Sequence, residues 1–182
     1  VNVPVMSYGR TPDQVAAFYE DVMRQVEHLP GVDRVSLGSS VPWRDGLGQS
    51  FGGQFSIEGF ARADGEEDPR ARWRTASPGF FATLDVPIIA GRDFTDDDGR
   101  NNSDNLVIVS QSLAQRMFQS VEAALNHGLM WTEPNFLQFG GVSGKPRRIV
   151  GVTADIDDEN IVPGPMTTVE QPADWKWLAS VP

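Results

Sequence analysis

The clearest pattern of apolar and polar positions lies near the start of the chain. Apolar residues recur there at the spacing of one helix face: Val15, Phe18, Val22, Val26 and Leu29. Thr11 and Gln14 have the spacing of a capping box, and Pro12 suits the first helical position. Because Pro30 and Gly31 then end the pattern, the sequence predicts an amphipathic helix over residues 12–29.

The segments on either side of this helix have the composition of strands. Residues 1–5 and 32–37 are short and rich in valine, with polar positions between the apolar ones. A strand, a helix and a second strand in this order are typical of the opening of a ferredoxin-like or split β-α-β unit. We therefore expect a β-α-β unit over residues 1–37.

Further along the chain, short apolar runs alternate with turn residues. Residues 38–53 are rich in Gly and Ser, and we expect them to cross between two subdomains. Ser110 is placed to cap a helix that packs through Leu113 and Phe118. Strands are predicted at six runs, the last at a sheet edge: 55–59, 70–75, 86–90, 106–109, 148–154 and 167–169.

A compact motif follows the strand predicted over residues 70–75. Ser77 is placed to cap a short helix, and Pro78 suits its first turn. Phe80, Phe81 and Leu84 then supply apolar contacts at helical spacing, so we expect at least two of these side chains to be buried. A strand and an acidic loop follow in the sequence.

Composition and charge exclude several classes of protein. The 182 residues carry a net charge of −10, which disfavours binding to nucleic acid or to anionic lipid. The chain has no cysteine, so it can form no disulfide, thiolate nucleophile or cysteine metal site. No apolar run is long enough to span a bilayer, and no signal peptide is visible. Since the first residue is valine, we expect an excised part of a longer protein.

Candidate catalytic groups are few. Only His28 and His127 offer an imidazole base, and neither belongs to a recognisable nucleophile motif. Residues 140–145 superficially resemble a phosphate loop, but Phe139 stands where the first Gly belongs and Pro146 where Ser or Thr belongs. We expect no catalytic residue, no cofactor-binding residue and no cofactor.

Two acidic clusters could hold a cation adventitiously. Neither fits an EF-type calcium loop: with Gly99 in register the first cluster has Phe94 where Asp belongs, and the second has Asn160 and Met166 where Gly and Glu belong. The clusters are Asp93, Asp96, Asp97, Asp98 and Asp104, and then Asp155, Asp157, Asp158 and Glu159. Because acidic surface loops are common, we expect no metal-binding residue among them.

Several segments, taken in order, resemble the MacB-like periplasmic core domain of ABC-transporter permeases. The most specific is the Ser-Pro-Gly-Phe-Phe segment that leads to a Gly-Arg-x-Phe turn within residues 77–98. The matching pieces are residues 18–20, 29–32, 77–98, 107–114 and 148–152. Each piece is weakly specific alone, whereas their order and spacing together are specific.

The resemblance implies an α+β fold with two subdomains. Residues 1–43 would be the first half of a porter-like, ferredoxin-like subdomain, and residues 44–169 an inserted small mixed α/β subdomain. Residues 170–182 would return toward the porter-like part. The chain is too short to supply that part's closing β-α-β, so we expect this half to be incomplete or finished by another chain.

The resemblance also implies a non-enzymatic extracytoplasmic domain, membrane-anchored in the full-length protein. It would contact substrate or partner proteins and transmit ATP-driven conformational change. The implied partners are the rest of the permease, its ATPase, a second protomer, and a periplasmic adaptor, lipoprotein or peptide. The alternative is a free-standing extracytoplasmic binding module; a hydrolase is a more distant third.

Overall fold

The computed structural model describes residues 11–40, 52–60, 65–100, 106–134, 145–156 and 168–172, and the structural statements below concern these ranges. The fold is mixed α/β. Its strands are β1 Gly52–Ile57, β2 Arg70–Ala76, β3 Ile88–Gly91, β4 Leu106–Ser110, β5 Gly128–Trp131, β6 Arg147–Thr153 and β7 Thr168–Pro172. Its helices are α1 Pro12–Glu27, α2 Phe80–Thr83, α3 Asp96–Arg100 and α4 Gln111–Phe118, with a 3₁₀ turn at Glu122–Ala124.

One mixed sheet organises these elements. Its strand order is β3-β6-β4-β7-β2-β1-β5, and β5 also pairs with β6. Six strands therefore form a closed sheet, from β6 through β5 and back to β6. β5 pairs with the start of β6 and β3 pairs with the end of β6. The pairs β2–β7 and β4–β6 are parallel and the others antiparallel. We expected the last strand to lie at an edge of the sheet, and this prediction was wrong. β7 lies between β2 and β4.

Two apolar clusters form the core. The larger one joins the strands of the closed sheet to α4 and includes the fully buried ring of Trp131, which meets Phe55 edge to face at 6.3 Å. The smaller one lies around α2 and contains Phe80, Phe81 and Phe94. Phe80 is 5% exposed and Phe81 1%, so the expectation that this motif buries at least two apolar side chains is confirmed.

Helix α1 has the predicted capping box. The Thr11 hydroxyl accepts the Gln14 N–H at 3.3 Å, and the Gln14 side chain accepts the Thr11 N–H at 2.9 Å. The helix ends at a His28 C-cap. Its apolar face is covered unevenly, because Val15 is fully buried whereas Leu29 is 55% exposed. None of the described helices combines the length and the apolar character that a membrane crossing requires.

Helix α4 is also fixed at its start as predicted. The Ser110 hydroxyl accepts the Leu113 N–H at 3.4 Å. Asp155, just after β6, accepts the Ser112 N–H at 2.9 Å and also its hydroxyl proton. A carboxylate at a helix N-terminus complements the helix dipole, so this contact ties α4 to β6.

Several local expectations were wrong. Residues 32–37 form no strand. The next residue, Gly38, forms an isolated antiparallel β-bridge with Ala76. Ser77 is not the N-cap of α2; Gly79 is, in a left-handed conformation with φ of 76°, and it begins the helix two residues later. Helix α3 replaces part of the expected acidic loop, and β5 was not predicted. Residues 1–5 lie outside the described ranges.

Candidate functional site: the junction around Ser77

The two histidines do not form a catalytic arrangement with their described neighbours. Nδ1 of His28 lies 2.6 Å from the carbonyl oxygen of Arg24 at the exposed end of α1. His127 packs its ring 5.0 Å from that of Phe118 and 6.1 Å from that of Phe60. Neither imidazole is hydrogen-bonded to a carboxylate or hydroxyl of the described residues. The absence of a catalytic residue stays a prediction.

The acidic residues in the described ranges are spread over separate structural contacts. Asp93 serves the start of α2, Asp98 pairs with Arg92, and Asp155 serves the start of α4. Among the residues that the structure places, no three His, Asp or Glu side chains come together as a metal site would require. Asp104, Asp157, Asp158 and Glu159 lie outside these ranges, as do residues 140–144 of the phosphate-loop candidate.

The most specific polar arrangement lies where residues 37–39 meet the end of β2. The Ser77 N–H donates to the Leu37 carbonyl at 2.8 Å, as in a normal antiparallel ladder, but the Leu37 N–H donates to the Ser77 hydroxyl at 2.9 Å. The same combination of one backbone bond and one hydroxyl bond recurs on the other side of the Gly38–Ala76 bridge, but here the hydroxyl belongs to the segment opposite β2. There the Ser39 N–H donates to the Thr75 carbonyl, and the Thr75 N–H to the Ser39 hydroxyl, each at 3.0 Å.

We call this arrangement of Leu37, Ser39, Thr75 and Ser77 the hydroxyl clasp. Each pair keeps one backbone ladder bond and replaces the other by a bond to a serine hydroxyl. In each pair a serine hydroxyl accepts the N–H that a backbone carbonyl would accept in a ladder. The pairing is a single isolated bridge. Residues 32–37 have no continuous strand partner in the described ranges, since β2 ends at Ala76.

The clasp occupies a defined place in the sheet. β1 pairs with the first half of β2, with Gly52 opposite Arg72 and Gln54 opposite Arg70. Gly38 lies opposite Ala76, also antiparallel. Two stretches of chain thus run in the same direction along one edge of β2, one at its end and one at its start, separated in sequence by residues 40–51.

Further contacts hold this segment to α2 and β2. The Arg34 guanidinium donates to the Ala82 carbonyl at the end of α2, at 2.7 Å. Nε of Arg74 donates to the Ser40 hydroxyl at 3.1 Å. Gly38 lies so close to Phe80 that a Cβ on it would come within 2.6 Å of the ring. The segment therefore touches the motif that the sequence singled out.

The two halves of that motif are joined by Asp93. Its carboxylate accepts the Gly79 N–H at 3.2 Å and the Phe94 N–H at 2.7 Å. Phe94 is 4% exposed and packs in the smaller core cluster with Phe80 and Phe81. The start of α2 and the turn after β3 are thus held together by one side chain.

An ion pair closes the same turn. Arg92 donates to Asp98 in a bidentate pair, at 2.6 and 3.1 Å. The hydrogen bond from Arg92 lowers the pKa of the Asp98 carboxyl, partly opposed by burial and aided by the Thr95 N–H. The same pair raises the pKa of Arg92. Since Thr95 precedes α3, the pair also fixes the start of that helix.

An aromatic patch lies on the surface at the end of β1. Phe60 follows Gly59, whose φ is 84°, and is 47% exposed. Its ring meets that of Phe118 edge to face at 5.4 Å and also contacts His127. Because Phe118 is only 8% exposed, the accessible apolar surface here is the Phe60 ring itself.

These features connect residues 34–40 to α2 and β2, and they leave the Phe60 ring exposed. Sequence reasoning identified Phe80 and Phe81, but it missed Ser39, Ser40 and the contact of Asp93 with Gly79. The available signal for the clasp is the serine that stands two residues after each of the predicted strands over residues 32–37 and 70–75, namely Ser39 and Ser77. The link between Asp93 and Gly79 had no local signal, because it joins residues 14 positions apart.

Comparisons with known proteins agree with this architecture. Residues 3–178 match the family model of the MacB-like periplasmic core domain. The periplasmic region of MacB from Actinobacillus actinomycetemcomitans is similar in structure, with a TM-score of 0.51 and 13% identity over 87% of this chain and 56% of that one. No curated protein matches the chain significantly.

A domain of a putative permease protein from Porphyromonas gingivalis is also similar, with a TM-score of 0.50 and 19% identity over 82% of this chain and 54% of that one. The chain therefore spans little more than half the length of either structure, and at these identities the likeness shows the fold. The family match covers nearly the whole sequence. The chain belongs to the family of MacB-like periplasmic core domains, which are parts of ABC transporter permeases.

Proposed function

We propose that this chain is a non-enzymatic extracytoplasmic domain that transmits ATP-driven conformational change in an ABC-type permease. Its partners would be the rest of the permease and its ATPase, with a second protomer where the permease is dimeric. The full-length protein would be anchored in the membrane. The observation that carries this proposal is the junction around Ser77, because it connects α1 to an otherwise self-contained closed sheet.

The division of labour within the domain follows from the same junction. We keep the division into residues 1–43 as the porter-like part, residues 44–169 as the inserted part, and residues 170–182, which include the end of β7, as the return. α1 makes no extensive contact with any other described helix or strand, whereas the strands pair extensively with one another. This difference supports two bodies that move relative to each other.

The test uses the full-length permease with its ATPase in lipid nanodiscs. The 182 residues contain no cysteine, so after replacement of any cysteine elsewhere in the permease and ATPase the spin labels attach only to introduced cysteines. Glu20→Cys on α1 and Glu122→Cys beside α4 report the distance between the two bodies. Both positions are exposed. Glu122→Cys with Lys145→Cys, both on the sheet body, is the matched control pair.

We expect the first pair to change its pulsed-EPR distance distribution between ADP and ATP-vanadate, and the control pair to keep its own. If neither pair responds while ATP is hydrolysed, the domain does not transmit the change. A response of the control pair as large as that of the first would contradict a rigid sheet body.

Contact with substrate or partner proteins is the second part of the proposal. The exposed ring of Phe60 supports it, because an aromatic side chain that is 47% exposed is available for contact with another protein. A photo-reactive residue at Phe60 in the full-length permease should form adducts with a periplasmic adaptor, lipoprotein or peptide, identified by mass spectrometry. The same residue at Glu20 is the control. Adducts at Glu20 alone, or at neither position, would count against this surface.

A further inference from the structure

We infer that the hydroxyl clasp is a releasable joint, at which α1 and residues 32–40 detach from β2 while the closed sheet stays folded. The inference deepens the proposed function and rests on it, since it names where motion between the two bodies originates. Three observations lead to it: the chemistry of the clasp bonds, the exposure of its two sides, and the support of β2 by β7.

The first observation is the chemistry of the bonds. Two of the four clasp bonds end on the hydroxyls of Ser39 and Ser77. A hydroxyl is freed by rotation of one side chain, and water can replace its partner once the segment has moved away. A backbone ladder instead requires peptide groups to separate in a cooperative row. Two of the four clasp bonds can therefore open by rotation of a side chain, and the other two are backbone bonds of one isolated bridge, outside any continuous ladder.

The second observation is the difference in exposure between the two sides. On the departing side, Gly38 and Ser39 are exposed and Leu37 is half-buried. On the sheet side, Thr75 is 5% exposed and Ser77 is 2% exposed. The N–H groups of the departing segment thus reach solvent once released, and the release also uncovers the Phe80 ring against which Gly38 lies.

The third observation is that β2 is held independently. β7 pairs with it in parallel from Arg72 to Ala76, on the edge opposite the clasp. β1 pairs with its first half. When the clasp opens, β2 keeps both neighbours and the six-stranded closure is intact. Its edge at Thr75 and Ser77 then becomes accessible.

Hydrogen exchange of the 182-residue chain tests the joint at single amides. We expect the Leu37 and Thr75 amides to exchange through a local opening that is insensitive to low denaturant. The Val107 and Val109 amides of β4, fully buried, should exchange only on global unfolding. Ser77→Ala should speed exchange at Leu37 at least about tenfold, without changing β4.

Two variants separate the joint from general destabilisation. Ser77→Thr retains the hydroxyl and should restore slow exchange at Leu37. Thr83→Ala removes a hydroxyl that donates to the Gly79 carbonyl at 2.9 Å on the neighbouring helix, and it should leave the clasp amides unchanged.

The inference is overturned if Leu37 and Thr75 exchange only with the global unfolding that governs Val109. It is also overturned if Ser77→Ala accelerates β4 as much as the clasp. These outcomes are independent of the EPR experiment. Local opening of the clasp without any nucleotide response in the full-length permease would uphold the joint and reject the proposed function.

Discussion

The carboxylate of Asp93 accepts the backbone N–H of Gly79 at 3.2 Å, and through this bond the turn after β3 fixes the start of α2. Its second oxygen accepts the Phe94 N–H. The two parts of the sequence motif, Ser-Pro-Gly-Phe-Phe and Gly-Arg-Asp-Phe, are therefore one structural unit around the smaller core cluster. No chemistry needs to be assigned to either part to explain their combination.

Removal of this carboxylate should loosen the unit. We expect Asp93→Ala to lower the free energy of unfolding by about 1–3 kcal/mol, because the N–H groups of Gly79 and Phe94 lose their acceptor. Urea unfolding followed by circular dichroism measures the change. Asp97→Ala, an exposed acidic neighbour, should stay within about 0.5 kcal/mol of the parent chain. Equal effects of the two substitutions would contradict a specific role for Asp93.

Two glycines in the unit offer a matched comparison. Gly79 and Gly91 have φ of 76° and 70°, but a Cβ on Gly79 would meet nothing within 4 Å, whereas one on Gly91 would lie 2.2 Å from the Val150 carbonyl oxygen. Gly79→Ala should therefore cost only the backbone term, about 1–2 kcal/mol. Gly91→Ala should cost at least about 2 kcal/mol more, because β3 must shift away from β6. Thermal melts of both variants, compared side by side, decide whether this close approach exists.

The buried aromatic pair of α2 should carry much of the local stability. Phe81 is 1% exposed, so Phe81→Ala should cost about 3–5 kcal/mol through the cavity it leaves. Ile89, in the β3 bulge and 37% exposed, serves as the control. Ile89→Ala should cost less than about 1 kcal/mol. A Phe81→Ala variant that melts with the parent would show that the motif is exposed, as an interaction tip would be.

The sequence predicted those elements whose signals are local. The capping box of Thr11 and Gln14 and the hydroxyl of Ser110 bond within their own helices, so short windows contain the whole signal. The buried run of β4 was recognisable for the same reason. The family resemblance came from the order of such local pieces, and it is confirmed by the family match.

What the sequence did not reveal depends on pairing between distant segments. β7 has an edge-like sequence, yet it is inserted between β2 and β4 by contacts far along the chain. Ser77 has the sequence context of an N-cap, but its hydroxyl accepts the Leu37 N–H instead. The local sequence at Ser77 thus indicated correctly that its hydroxyl accepts a backbone N–H, but that N–H belongs to Leu37 and not to α2.

Acid should weaken the pair of Arg92 and Asp98. The Arg92 hydrogen bond lowers the pKa of Asp98 in the folded chain, so the pair stabilises the fold above the ordinary aspartate pKa of about 3.9. This contribution is lost as the pH falls through the lowered pKa, while Arg92 stays protonated throughout.

The Asp98→Asn variant measures that contribution directly. It should be less stable than the parent at neutral pH, and the difference should shrink toward zero as the pH falls through the lowered pKa of Asp98. Urea unfolding over a series of acidic pH values, compared with neutral pH, follows the difference. Asp97→Asn, which removes a neighbouring charge, controls for the general effect of acid. A difference independent of pH would show that the ion pair contributes nothing.

The apolar face of α1 should make the isolated 182-residue chain self-associate. Val15 is fully buried, Val22 and Val26 are half-buried and Leu29 is 55% exposed, so the cover of this face decreases toward the end of the helix. A helix with an uncovered apolar stripe buries it against another chain when none of its own covers it. Sedimentation over a concentration series should show reversible association that Val22→Glu abolishes. Ala17→Glu, on the exposed side of the same helix, should leave the association intact. A chain that stays monomeric at every concentration would show that this face is satisfied within the 182 residues.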